Sequence, residues 1–186
     1  MITAIRHAET VWNRERVFMG ALDIAPTAES LARAARLRLD ADHVLTSPLG
    51  RAARTAAAIF PGAPVTVDER LRERGMGVWE GRRKDEVRRE CPADFPGGHL
   101  DVTVTPPGGE DFDALLARVA AVLDEVAGPA RTSRVVLVSH NGWIRAAQYL
   151  AGEAELADFH VHPVPQLMPT RLRVPMSERM SGTGVG

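Results

Sequence analysis

The 186-residue sequence contains a single cysteine, Cys91, so no disulfide can form within the chain. Long apolar stretches are also missing, because the longest aliphatic run, from Val135 to Val138, is far too short to span a bilayer. Met1 is not followed by a positively charged and then apolar leader. These absences predict a soluble, cytoplasmic protein that does not associate with membranes.

The sequence also lacks an excess of charge of either sign. It has 23 Lys and Arg residues against 24 Asp and Glu residues, a formal net charge of −1. No overall field favours nucleic acid or an acidic membrane, so we expect neither as a partner, and any anion must be held by a local cluster. Lys84 is the only lysine. Arginine suits bidentate phosphate binding, although codon composition produces the same bias.

What remains is the composition of an ordinary globular protein, with 45% hydrophobic and 25% charged residues. Apolar segments of two different periods alternate along the chain without an internal repeat, which predicts one α/β unit. We predict a single domain over residues 1–174 and a flexible C-terminal tail over residues 175–186. Within the domain, residues 74–105 are rich in Gly, Pro and charge, and we interpret them as an insertion over one end of the sheet.

Strands are predicted over residues 2–6, 43–46, 65–67, 134–139 and 171–174. The fourth is continuously apolar, as expected of a strand buried on both faces of a parallel sheet. Helices are predicted over residues 28–39, with Thr27 as N-cap, and over residues 49–60, with Ser47 as cap and Pro48 at the first position. Another apolar stripe predicts a helix that ends at Gly128-Pro129, and a last helix begins at Asn141.

Polar residues follow three of these strands at their carboxyl ends. Arg6 and His7 end the first, Ser47 begins the stretch after the second with Arg51 just beyond, and His140 follows the fourth. Ligands of open α/β sheets bind at this edge, where helix N-termini also attract anions. Taken singly, a strand-end His is more often a buried structural residue, and Arg51 more often a surface one. Their joint placement, with three helix starts, predicts a phosphate site.

Two other clusters have simpler interpretations. His160 and His162 could be read as a metal pair, but no cysteine or well-spaced carboxylate accompanies them, so we interpret this segment as a solvated loop. Basic and acidic residues are interleaved over 82–90, which predicts an exposed helix rather than a nucleic-acid site.

Five segments, in order, resemble the motifs of the histidine phosphatase superfamily, the phosphoglycerate mutase-like proteins. The resemblance covers about residues 2–174. The segments are Arg6-His7-Ala8-Glu9-Thr10 with Asn13, residues 46–56 with Arg51, Leu71-Arg72-Glu73 leading to residues 77–81, Pro107-Gly108-Gly109-Glu110, and Ser139-His140.

This resemblance implies a three-layer α/β/α sandwich with a mostly parallel sheet and an antiparallel last strand. It also implies a phosphatase that transfers the phosphoryl group of a small phosphorylated metabolite to a histidine and then to water, with no metal or other cofactor. The implied catalytic residues are His7 as nucleophile, Glu73 as proton donor, and His140. The implied phosphate contacts are Arg6, Thr10, Asn13, Arg51 and the backbone near Gly20.

Several alternatives stay open. Glu9 and Glu80 are rival proton donors. A mutase is the closest alternative function, although mutases of this family are usually longer, and an inactive phosphate-binding protein is a third. Ala8 and Asn141 stand where the family usually has Gly. The sequence predicts neither the substrate nor the oligomeric state.

Overall fold

The computed structural model describes residues 1–173, so the predicted tail and Val174 lie outside the described residues. The strands are β1 Ile2–Arg6, β2 His43–Thr46, β3 Val65–Val67, β4 Val135–Ser139 and β5 Pro169–Leu172. The α-helices of the same residues are α1 Val11–Arg14, α2 Ala28–Ala34, α3 Gly50–Ile59, α4 Lys84–Glu90, α5 Phe112–Ala127 and α6 Asn141–Leu150. No helix in this part of the chain is long and apolar enough to cross a membrane.

The strands form one sheet in the order β3-β2-β4-β1-β5. Strands β3, β2, β4 and β1 are parallel, whereas β5 runs antiparallel to β1 and pairs Leu172 with Ile2. The predicted mostly parallel sheet with an antiparallel last strand is therefore confirmed. Because β4 lies between β1 and β2, the carboxyl ends of these three strands adjoin one another.

Helices cover both faces of this sheet, and β4 shows why. Val135 and Leu137 pack against residues of α5 and α6, while Val136 and Val138 pack against residues of α2 and α3. Each of these side chains is buried, and burying a Val or Leu contributes about 1.5–3 kcal/mol. The predicted three-layer α/β/α sandwich is confirmed. The predicted stripe on α5 is also buried; it consists of Leu115, Val119, Val122 and Val126.

Helix α2 is shorter than predicted. Thr27 caps it, since its Oγ1 accepts a hydrogen bond from the Ser30 amide, but the helix ends at Ala34 instead of residue 39. The chain continues in single turns, and Leu37 and Leu39 pack on the α2–α3 side of the sheet without helical backbone. These two apolar residues serve packing on the sheet and do not indicate a longer helix.

The predicted cap of α3 is wrong. The helix begins at Gly50, and Ser47 Oγ accepts from the Leu49 amide, ahead of the first turn. The carboxylate of Asp23 instead accepts from the amides of Gly50, at 2.7 Å, and Arg51, at 3.3 Å. A preceding loop thus supplies the cap, and local sequence rules cannot identify a cap that comes from so far along the chain.

The segment over residues 74–105 contains α4 and several single turns. Arg74 anchors it: this buried guanidinium donates to the carbonyls of Val102, Val104 and Glu110. Its apolar side chains form, together with Phe18, a small core separate from both faces of the sheet. The buried members of this core are Phe18, Met76, Trp79, Val87, Phe95 and Leu100.

Candidate active site

The site begins where β2, β4 and β1 end side by side. The His7 amide donates to the Ser139 carbonyl at 2.9 Å, and the Ser47 amide donates to the Val138 carbonyl at 3.0 Å. Parallel pairing therefore fixes His7, Ser47 and His140 at one level of the sheet edge. The structure therefore brings the ends of β1, β2 and β4 together, as the sequence predicts.

His7 is buried, and its ring centroid lies 5.2 Å from that of His140. The Nδ1 atom of His7 lies 2.8 Å from the Ala8 carbonyl. A carbonyl only accepts hydrogen bonds, so Nδ1 carries the proton and Nε2 keeps its lone pair. Among residues 1–173, the hydrogen bond of the His7 ring is made through Nδ1 and not through Nε2. The ring is thus oriented with a nucleophilic nitrogen available.

His140 is held differently. Its Nδ1 accepts a hydrogen bond from Arg51 Nε at 3.2 Å, and its Nε2 lies 2.8 Å from Ser47 Oγ. Because Nδ1 accepts, the neutral ring carries its proton on Nε2 and donates it to Ser47. Both nitrogens are occupied, so His140 would have to exchange one contact to donate to a phosphoryl oxygen.

Arg51 is fully buried at the start of α3. Besides its bond to His140, it donates from Nη1 to the Leu22 carbonyl and from Nη2 to the Gly20 carbonyl. Three of its five N–H groups are therefore used, and two remain for a ligand. The backbone near Gly20, predicted as a phosphate contact, accepts one of these hydrogen bonds through the Gly20 carbonyl.

Arg6 has more unused donors. Its Nη1 donates to the Val164 carbonyl at 2.7 Å, and its Nε is buried without a hydrogen-bond partner in the described part of the chain. A buried N–H group without a partner costs about 1–3 kcal/mol. A bound anion would remove this cost. Burial lowers the pKa of Arg6 and of Arg51, and the nearby carboxylate of Glu73 opposes that effect in both.

Glu73 lies at the start of α6. One carboxylate oxygen accepts from the Arg74 amide at 3.0 Å and the other from the Gly142 amide at 3.2 Å. A Cβ at Gly142 would lie 2.5 Å from Glu73 Oε1, so glycine there makes room for the carboxylate. Its negative charge raises the pKa of both Arg6 and Arg51, so this carboxylate acts on both cations.

The two rival carboxylates, Glu9 and Glu80, each bind other groups of the protein. Glu9 pairs with Arg14 at 2.5 Å. Glu80 Oε1 accepts from the amides of Ala21 and Met76, each at 2.8 Å. A Cβ at Gly20 would overlap that oxygen at 2.1 Å, and the φ of +51° at this position also favours glycine. Glu80 therefore ties the loop before Asp23 to the segment over residues 74–105.

Thr10 and Asn13 form a capping box at α1. The Thr10 amide donates to Asn13 Oδ1 at 3.0 Å, and the Asn13 amide donates to Thr10 Oγ1 at 3.2 Å. Thr10 is fully buried. Both side chains thus shape the turn after His7, and their contact with phosphate stays a prediction.

The helix N-termini offer an anion fewer unpaired N–H groups than the sequence predicts. Asp23 occupies the first amides of α3, and Glu73 occupies the Gly142 amide of α6. Protein carboxylates thus already bind N–H groups that were expected to face phosphate. The positive charge of the site comes mainly from Arg6 and Arg51.

Sequence reasoning missed three supporting residues. Ser47 orients His140, Asp23 caps α3, and Thr55 Oγ1 accepts from the Ala8 amide at 2.9 Å while donating to the Arg51 carbonyl at 2.6 Å. Thr55 therefore links the turn after the nucleophile to α3. The position of Ser47 at a strand end was the only sequence signal among these three.

The histidines of this region predict a pH-dependent stability. Burial, then the charges of Arg51 and Arg6, holds the pKa of His7 well below 6.5, and burial and Arg51 do the same for His140. Burial also lowers the pKa of His160 to about 3. Below pH 6.5 the unfolded chain therefore binds more protons than the folded one, so stability falls as the pH falls.

Each such histidine removes up to about 1.4 kcal/mol per pH unit between its unfolded and folded pKa values. We expect the melting temperature, measured in buffers free of phosphate and sulfate, to drop steadily from pH 6.5 to 5. The slope should be smaller in His7→Asn, whereas His43→Ala, which changes an exposed imidazole, should keep the wild-type slope. Constant stability across this range would contradict the prediction.

Comparisons with known proteins match the chain to one family. The family model of the histidine phosphatase superfamily (branch 1) matches residues 2–178. A probable phosphoglycerate mutase GpmB of Salmonella paratyphi C is 37% identical over 146 residues, 73% of this chain and 67% of the relative.

Two solved structures extend the comparison. A mycobacterial glucosyl-3-phosphoglycerate phosphatase in complex with VO3 superposes with a TM-score of 0.77 at 26% identity, covering 93% of this chain and 96% of that one. A putative alpha-ribazole-5'-P phosphatase of Escherichia coli gives a TM-score of 0.73 at 26% identity and covers 95% of both chains. Fold, motif order and sequence match together, so the chain belongs to the histidine phosphatase superfamily.

Proposed function

We propose that this protein is a phosphatase that hydrolyses small phosphomonoesters through a phosphohistidine on His7, without a metal ion. The observation that carries the proposal is the hydrogen bond from His7 Nδ1 to the Ala8 carbonyl, which leaves Nε2 as a neutral nucleophile. Arg6 and Arg51, whose charges both lower the pKa of His7, supply positive charge for the transferring group. The partner is a small phosphorylated metabolite, and the cytoplasmic location stays a prediction.

The first step transfers the phosphoryl group. His7 Nε2 attacks phosphorus, the P–N bond forms, and the P–O bond to the alcohol breaks. Glu73 must enter this step protonated, and it gives that proton to the departing oxygen, because an alkoxide is a poor leaving group. The unused N–H groups of Arg6 and Arg51 stabilise the negative charge on the equatorial oxygens of phosphorus. Both guanidinium groups are held in place before the reaction begins.

The second step returns the enzyme to its starting state. Water attacks phosphorus and the P–N bond breaks, while the Glu73 carboxylate takes the proton that water loses. The lowered pKa of His7 supports this cycle, because the imidazole is neutral and nucleophilic at neutral pH without a separate base. The products are inorganic phosphate and the free alcohol.

A phosphoglycerate mutase activity is the second candidate, because the GpmB relative has that name. A mutase returns the phosphoryl group to the bound product and releases no phosphate. Incubation with 3-phosphoglycerate separates the two: the phosphatase produces inorganic phosphate and glycerate, whereas a mutase produces 2-phosphoglycerate.

We expect hydrolysis of an aryl phosphate to be unchanged in 10 mM EDTA. Among residues 1–173, no group of three or more His, Cys, Asp or Glu side chains could hold a metal ion, whereas two arginines are available for the phosphate charge. The assay compares the dialysed protein with and without EDTA. Loss of turnover that added magnesium or zinc restores would contradict the proposed mechanism.

A further inference from the structure

The side chain of Arg6 depends on one carbonyl group for its orientation. Its Nη1 donates to the Val164 carbonyl at 2.7 Å, and within residues 1–173 this is its only hydrogen bond to the protein. Arg51, by contrast, donates to three groups. A guanidinium is planar, so a contact at one nitrogen also sets the direction of the other N–H groups. The position of Val164 therefore decides where Arg6 directs its unused donors.

Val164 lies just before β5 in a segment without helix or strand. The sequence predicts a solvated loop around His160 and His162; His162 is exposed, but Nε2 of His160 is buried. Two residues further along, the side chain of Val164 is buried as well. Pro163 and Pro165 flank it, and a residue before proline favours extended backbone. The loop thus turns inward, with a restricted conformation, at the residue that binds Arg6.

Asn141 anchors this residue from the other side. The Val164 amide donates to Asn141 Oδ1 at 2.8 Å, while the Val164 carbonyl accepts from Arg6. Since proline has no amide hydrogen, Val164 has the only amide donor of residues 163–165. Asn141 is the first residue of α6, directly after His140, and the apolar side of α6 packs on the sheet. A fixed helix therefore supports Arg6 through a single loop residue.

The far end of the same segment holds the backbone of Arg6. The Leu167 amide donates to the Arg6 carbonyl at 3.0 Å, and Gln166 forms a β-bridge with Arg6. Leu167 is buried and has a φ of +61°, a left-handed conformation that is unfavourable for a residue with a side chain. Such strain persists only where the surrounding contacts fix the backbone. The segment over residues 164–167 thus holds Arg6 at its side chain and at its backbone.

We propose that Asn141 is a positioning residue for phosphoryl transfer, which fixes the direction of the Arg6 guanidinium through the backbone of Val164. The inference rests on the proposed phosphatase function. Asn141 stands where the superfamily usually has Gly, and glycine has no side chain that could accept from the Val164 amide. This support is therefore a property of this chain and does not follow from the family motif.

Loss of the Asn141 oxygen should affect the transition state more than the binding of the ester. The charge of Arg6 would remain, and with it the attraction for a phosphate group. Its fixed direction would be lost, and donors that are fixed before the reaction stabilise the charge that develops during transfer. An interaction that is stronger in the transition state than in the bound ester acts on kcat and leaves KM nearly unchanged.

The test uses two variants that remove this oxygen, Asn141→Ala and Asn141→Gly, with 4-nitrophenyl phosphate as substrate. Each should lower kcat by roughly tenfold, the effect of one good hydrogen bond, and should change KM by less than about threefold. Orthovanadate imitates the five-coordinate phosphorus of the transition state, so its dissociation constant, measured by titration calorimetry, should rise by roughly tenfold.

Gln148→Ala is the matched control, because it removes an amide side chain from the same helix. Gln148 Oε1 accepts from Arg145, about 10 Å along α6 from Asn141. This variant should keep kcat, KM and the dissociation constant of orthovanadate. Partial unfolding of a variant would lower the apparent kcat, but it would change neither KM nor this dissociation constant, because neither depends on how much of the sample is folded.

A double-mutant cycle separates an effect through Arg6 from an effect through the neighbouring His140. Arg6→Lys keeps the positive charge but lacks the planar guanidinium that Val164 orients. In the Arg6→Lys background, Asn141→Ala should change the dissociation constant of orthovanadate by less than about twofold, because the group through which Asn141 acts is already gone.

The inference is overturned if both Asn141 variants bind orthovanadate as tightly as the wild-type protein, or if the tenfold rise persists in the Arg6→Lys background. Failure of both variants to fold would make Asn141 a structural residue and would also overturn it. Failure of the wild-type protein to hydrolyse 4-nitrophenyl phosphate or any other phosphomonoester would instead overturn the proposed function, and this inference with it.

Discussion

His7→Ala is expected to abolish turnover of every phosphomonoester, because it removes the atom that forms the covalent bond to phosphorus. His140 cannot replace it, since Arg51 and Ser47 occupy both of its ring nitrogens. The measurement is phosphate release together with the acid-labile, base-stable label left on the protein by a ³²P-labelled substrate. Wild-type protein should carry the label after rapid quenching, and His7→Ala should carry none.

His43→Ala is the matched control, because it also removes an imidazole but from an exposed position at the opposite end of β2. It should keep both turnover and label. Melting curves of the two variants establish that each is folded. A label on His7→Ala that maps to His140 would contradict the assignment of the nucleophile.

Glu73→Gln should lower the rate on alkyl esters by roughly 10² to 10⁴, the usual contribution of general acid catalysis. Glutamine keeps the shape of the side chain and an oxygen that can accept from the Gly142 amide, so phosphate binding should persist. With an activated aryl ester the leaving group needs no proton, so phosphorylation of His7 should suffer less. Phosphohistidine should then accumulate if water attack becomes slow.

The decisive quantity comes from single-turnover phosphorylation. It is the ratio between the rate loss of Glu73→Gln on an alkyl ester and its rate loss on an aryl ester. Glu80→Gln is a useful comparison, because Glu80 likewise accepts from two backbone amides. That variant should show no difference between alkyl and aryl esters. Equal defects for the two ester classes in Glu73→Gln would show that another group is the proton donor, with Glu9 and Glu80 examined next.

The sequence predicts the fold well where periodicity is strong. The continuous apolar run in β4 identifies a strand with two covered faces, and the stripe on α5 identifies its buried side. The antiparallel direction of β5 came from the family resemblance alone. Since β5 has one sheet neighbour and a short apolar pattern, nothing local fixes its direction.

The sequence predicts which residues form the candidate site, but it does not predict the hydrogen bonds that orient them. Strand ends place His7 and His140 near each other, because parallel strands finish at the same edge. The contacts that fix each ring come from elsewhere: Ser47 and Arg51 for His140, and the Ala8 carbonyl for His7. Such contacts depend on side-chain geometry across the sheet, which spacing along one chain does not encode.

The position of β1 in the sheet affects how the chain is synthesised. β1 leaves the ribosome before the other four strands of this sheet, yet its sheet partners are β4, from Val135, and β5, from Pro169. At 5–20 residues per second, roughly 7 to 27 s separate translation of Ile2 from that of its partner Val135. During that time β1 is an apolar strand with two unpaired edges, which favours chaperone binding. The proposed phosphate pocket is incomplete on the nascent chain until His140 has emerged.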